Sequence, residues 1–179
     1  MELISRNRYV FNKNHYSDYK ALFKKKFFES ELNTWILRPP NLKRSIEILF
    51  DSINEDVISY FLDKELGMVS CQGLWAATLP PQKNLFLIII FPNLLDLFNS
   101  SNYRLGIAVL AHEIGHIFRE HSKRNLTLME EQFEADFFAG RLGFTKELIN
   151  FLSMYPDSNE CKIRKERLIK EVKERHLTF

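Results

Sequence analysis

Apolar positions recur along the chain with two periods, and the change between them divides it. Between residues 16 and 32, Tyr19, Leu22, Phe23, Phe27 and Phe28 return at helical spacing with lysines opposite, predicting a helix. After Trp35-Ile36-Leu37, the Arg38-Pro39-Pro40 run is a helix breaker. From residue 41 to 66 a stripe of Ile46, Leu49, Phe50, Ile53, Val57, Tyr60 and Phe61 predicts a second helix, with Gly67 as its stop. The period then shortens. Residues 68–71 and 74–78 are β-compatible, residues 80–84 read as a turn, and residues 85–91 form an apolar run bounded by Pro92, read as a buried strand. A sheet of two to four strands is expected here.

Helical spacing then resumes. Residues 92–98 allow one or two helical turns, and Ser100-Ser101-Asn102 offer N-cap residues for a helix over 103–121. Thr127 and Glu130 form a capping box opening a helix from Leu128 to about Leu142, with Gly143 as its stop. A short helix over 146–152 follows, and Asp157 with Glu160 opens a charged final helix to about residue 175. Residues 1–14 read as an irregular lead-in. The expected class is α+β, mostly helical, with the small sheet preceding the helix over 103–121. Residues 1–66 form an N-terminal helical segment packed on a core of 67–179, one compact domain overall.

Composition adds exclusions. The 179 residues are 45% hydrophobic and 27% charged, ordinary for a globular protein, and 16 phenylalanines imply an aromatic core. A net charge of +2 gives no basis for nucleic-acid binding. Cys71 and Cys161 lack C-x-x-C spacing and read as reduced thiols. The start lacks a signal-peptide core, and the longest apolar run cannot span a bilayer. A cytoplasmic protein without a membrane span is expected.

The chemistry lies in Val109-Leu110-Ala111-His112-Glu113-Ile114-Gly115-His116. Two histidines four residues apart share a helix face, so His112 and His116 can converge on one metal ion. Glu113 sits about 100° round from His112, placed to act as general base on water. A hydrolytic zinc site needs a third protein ligand. The following helix reads Glu130-Glu131-Gln132-Phe133-Glu134-Ala135-Asp136. On a helical wheel Leu128, Gln132, Asp136, Ala139 and Gly143 share a face, suited to packing on the first helix at Gly115. Gln132 is then the metal-facing side chain. Glu134 falls on another face as a surface carboxylate, pairing with Arg141. A glutamine amide is a weaker zinc ligand than a carboxylate, and Glu131 or Glu134 could complete the site instead. His15, His121 and His176 receive no role, the last two reading as solvated helix ends.

Over residues 75–170 the chain resembles the HtpX-like gluzincin metallopeptidases, the group that includes the CAAX prenyl proteases. The likeness rests on the residue 109–116 motif, Ala76-Ala77 with residues 85–90, Glu134-Ala135-Asp136, and the segment Ser153 to Ile163 around Tyr155-Pro156. It implies a zincin-like fold and peptide-bond hydrolysis. It further implies Zn2+ on His112 and His116, Glu113 as base, and Asp136 as the acceptor fixing one histidine. Tyr155 stands where that group has histidine and would stabilise an oxyanion. The strand over 85–91 would receive substrate peptide by strand addition. A second resemblance, to the ImmA/IrrE-type metallopeptidases, rests on His112 to His116 and Ala135 to Gly140, with the same place for Gln132. Either way the partner is a peptide or protein substrate. Gln132 also supports a second reading, a weak or inactive relative retained for binding a peptide or partner.

Overall fold

The computed structural model describes residues 16–73 and 76–176. The lead-in, His15, Leu74, Trp75 and the His176 side chain lie outside the described residues. Helix α1 (Tyr16–Glu29) buries Phe23 and Phe27 and is followed by a 3-10 turn, Glu31–Leu37. The stripe over 41–66 becomes two helices, α2 (Pro40–Ser52) and α3 (Glu55–Phe61). Asn54 causes the break. Its side chain accepts the Val57 N–H at 3.3 Å, the bond of an N-cap, while Ile53 is extended. Both helices still bury their apolar residues in one core, which is why the stripe runs through the break.

Gly67 stops no helix. It lies inside β1 (Glu65–Ser70), where a Cβ would stand 2.7 Å from Leu87 Cδ2 and 2.9 Å from Leu32 Cδ1. Strands β2 (Ala76–Gln82) and β3 (Leu85–Ile90) complete a sheet of order β1-β3-β2. β1 runs parallel to β3, with Leu66 opposite Phe86, and β2 antiparallel, with Thr78 opposite Ile88. The expected turn over 80–84 is shorter than read. β2 continues past Pro80-Pro81 with a register shift between Leu79 and Gln82, and the left-handed residue is Lys83, at φ 57°. Prolines cannot donate to a ladder and are tolerated on an edge strand of this kind.

The strand over 85–91 is therefore central, flanked on both sides, and cannot receive a peptide by strand addition. The outer edge of β1 is closed by side chains. Asn33 donates to Leu66 O and accepts from Met68 N, both at 2.8 Å, and Trp35 Nε1 donates to Met68 O at 2.7 Å. Among the described residues β2 alone keeps an edge unpaired by strand or side-chain ladder.

Helices α4 (Pro92–Phe98), α5 (Tyr103–Phe118), α6 (Leu128–Ala139), α7 (Thr145–Ser153) and α8 (Asn159–His176) follow. α5 ends short of the expected residue 121, and a separate 3-10 turn, His121–Lys123, follows Glu120. α6 passes through a wide π turn, Gly140–Phe144, where Gly143 takes φ 93°. The architecture is α+β and zincin-like, mostly helical with one small mixed sheet. Among the described residues no helix is long and apolar enough to cross a membrane.

Candidate metal centre

α5 is the central helix, buried without interruption from Gly106 to Gly115. Burial on every side is what an apolar helix without a polar face predicts. His112 and Glu113 are the polar groups it carries into the interior, His112 beside the Asp136 carboxylate and Glu113 accepting from Thr78. Gly115 is where α6 crosses. A Cβ there would lie 3.0 Å from Ala135 Cα and 3.1 Å from Phe138 Cβ, so glycine lets the two helices approach closely.

The packed face of α6 comprises Ala135, Asp136, Phe138 and Ala139. Of the face expected from the wheel, Asp136 and Ala139 are packed and Gln132 lines the site cleft, while Leu128 at the first turn is 81% exposed. At the exposed α6 N-terminus the capping box is formed by Thr127 and Glu130. Thr127 N donates to Glu130 Oε2 at 2.8 Å, and Glu130 N to Thr127 Oγ1 at 3.3 Å.

Crossing at Gly115 brings Asp136, fully buried, to His112, with Oδ1 2.8 Å from Nδ1. Arg164 from α8 grips the same carboxylate through Nε at 2.8 Å and Nη2 at 2.7 Å. Burial opposes ionisation of Asp136, but His112 and Arg164 outweigh it and hold the carboxyl below its ordinary value. His112 Nε2 in turn lies 3.0 Å from His116 Nε2. Burial, with the neighbouring His112, His121 and Arg164, pushes His116 down to about 3, so its ring is neutral.

Expected as a solvated helix end, His121 is 4% exposed, with Nδ1 2.8 Å from His116 Nδ1 and Nε2 3.2 Å from Glu134 Oε2. The 3-10 turn after α5 folds it back beneath His116, and no local sequence signal marks that reversal. Glu134 is likewise not paired with Arg141. Its carboxylate is held by Arg124, with Nη2 2.9 Å from Oε1, and this bond leads the depression of its pKa. Glu131 joins His116 and His121 in a group whose possible ligand atoms lie within 4.8 Å of one another.

Part of this group faces a cleft of about 350 Å3, whose lining includes Thr78, Glu113, His116, His121, Glu131 and Gln132. Thr78 of the open strand donates its hydroxyl to Glu113 Oε2 at 2.7 Å. Sequence reasoning had no reason to single out Thr78, whose partner is 35 residues away. Tyr155 is not brought to this cleft. Its ring meets that of Phe151 edge to face with centroids 5.6 Å apart, and burial raises its pKa. The arrangement offers two converging imidazoles, a carboxylate beside them and an open strand along the cleft. That set suits a divalent cation and hydrolysis of an extended chain.

Residues 80–155 match the model of peptidase family M48, whose members depend on zinc, and this match supports a metallopeptidase. No curated protein and no solved structure matches the chain.

Proposed function

We propose that the protein is a zinc metallopeptidase that hydrolyses peptide bonds with Glu113 as general base. The observation that carries this reading is the 3.0 Å approach of His112 Nε2 to His116 Nε2. Asp136 is an ionised acceptor 2.8 Å from Nδ1, so His112 turns an Nδ1–H to it and a metal would be met by the Nε2 lone pair. A lone pair aimed at a second imidazole nitrogen from this distance suits a cation held by both. The residues fit zinc in this respect: two imidazoles on one helix face, one backed by a carboxylate, with a further donor at hand.

His112 and His116 would hold the metal through Nε2. For the third donor Glu131 is favoured over Gln132, because a carboxylate binds zinc better than an amide and a Glu131 oxygen lies within 4.8 Å of a His116 ring nitrogen. Zinc supplies Lewis acidity when bound, polarising the scissile carbonyl. The chain does the rest. A peptide adding to the free edge of β2 would run along the cleft, and Glu113 would take a proton from water as its oxygen attacks the carbonyl carbon. The C–N bond then breaks, and Glu113 returns that proton to the leaving amine.

Gln132, at the position of the ligand in the HtpX-like pattern, favours a second reading, a weak or inactive relative retained for peptide binding. Metal analysis and peptide cleavage decide between them. Protein purified without chelator should carry about one zinc per chain and cleave an unfolded protein substrate. Glu113→Gln should abolish cleavage and keep the zinc. Zinc below about 0.1 per chain, unrestored by added zinc, would sink the enzyme reading.

A further inference from the structure

We propose that His121 is a positioning residue for His116, holding its ring so that Nε2 is the nitrogen offered to a divalent cation. The proposal rests on the reading of His112 and His116 as a metal pair, and adds what orients the second member. One nitrogen of each ring faces the other, so each needs a partner at its remote nitrogen to settle which atom carries the proton. For His112 that partner is Asp136, braced by Arg164. The remote nitrogen of His116 meets no carboxylate. It meets His121 Nδ1, 2.8 Å away.

His121 is itself held at its far side. Its Nε2 lies 3.2 Å from Glu134 Oε2, and Arg124 binds that carboxylate through both terminal nitrogens. A carboxylate gripped by an arginine accepts and does not donate, so the His121 proton sits on Nε2 and its Nδ1 carries the lone pair. His121 Nδ1 then accepts the His116 Nδ1–H, which leaves His116 Nε2 with its lone pair toward His112. Arg124, Glu134, His121 and His116 thus repeat, with one imidazole inserted, the order Arg164, Asp136 and His112. Both carboxylates come from α6, two residues apart. Burial of His121 at 4% exposure shields the relay from water that could take its place.

Two measurements on the full chain test this. Nitrogen-15 NMR of the histidine rings should find His121 as the Nε2–H tautomer, metal-free and with zinc added. A proton on Nδ1 overturns the proposal whether or not zinc binds. Zinc affinity by chelator competition should fall roughly 10–100-fold in His121→Leu, with the stoichiometry kept. His121→Asn, whose amide places a polar atom near the lost Nδ1, should recover most of that loss. Equal affinities in all three proteins, or complete loss of zinc from both variants, overturn it, the latter by making His121 a direct ligand. If His121→Leu fails to fold, the asparagine variant and the ring tautomer decide. A wild-type chain that binds no zinc refutes the peptidase reading, while the tautomer still decides the role of His121.

Discussion

Thr78 and Glu113 meet through a 2.7 Å hydrogen bond that ties the open edge of the sheet to the helix of the two histidines. The strand along which a substrate would lie therefore also orients the carboxylate proposed as base. Thr78→Val keeps the shape and removes the donor. Hydrogen bonds to charged groups contribute about 1.5–3 kcal/mol. A kcat loss of roughly ten- to a hundredfold is expected, with zinc affinity unchanged. Thr78→Ser should restore most of the rate, as read by steady-state peptide cleavage.

Arg164 and Asp136 form a buried pair behind His112. Arg164→Met leaves the carboxylate without its cation and should cost about 3–5 kcal/mol of stability. Combining it with Asp136→Leu should recover much of that stability but not the zinc affinity, because His112 loses its acceptor. Chemical denaturation and chelator competition measure the two effects separately.

The third ligand is open to a paired test. Glu131→Gln should weaken zinc binding by roughly a hundredfold or more, and Gln132→Ala by less than about threefold. The opposite ranking would return the role to Gln132.

Asn33 governs the far side of the sheet. It donates to Phe27 O and Leu66 O and accepts from Met68 N, each at 2.8 Å. Asn33→Leu strands three buried backbone groups, an expected loss of about 3 kcal/mol or more. Thermal melting should fall by roughly 6–12 °C.

Several of these relationships were legible in one dimension. The stripe of α2 and α3, the capping box of Thr127 and Glu130, and the spacing of His112, Glu113 and His116 are set within a few residues. Helical period and cap chemistry act over that range, so sequence alone predicts them. The break at Asn54 was also local, an N-cap residue hidden inside an unbroken apolar stripe.

What sequence alone determined, then, is a helix carrying two imidazoles and a carboxylate, and a second helix carrying acidic groups after it. Tertiary structure decided which acidic group serves which histidine. The close crossing at Gly115 turns α6 so that Ala135 and Phe138 meet α5, bringing Asp136 to His112 and Glu134 to His121. Sheet order, likewise a product of long-range pairing, put residues 85–90 in the centre and left β2 as the open edge beside Glu113. His121 shows the difference most sharply: nine residues past His112 it looks like a helix end, and only the turn that reverses the chain buries it against His116.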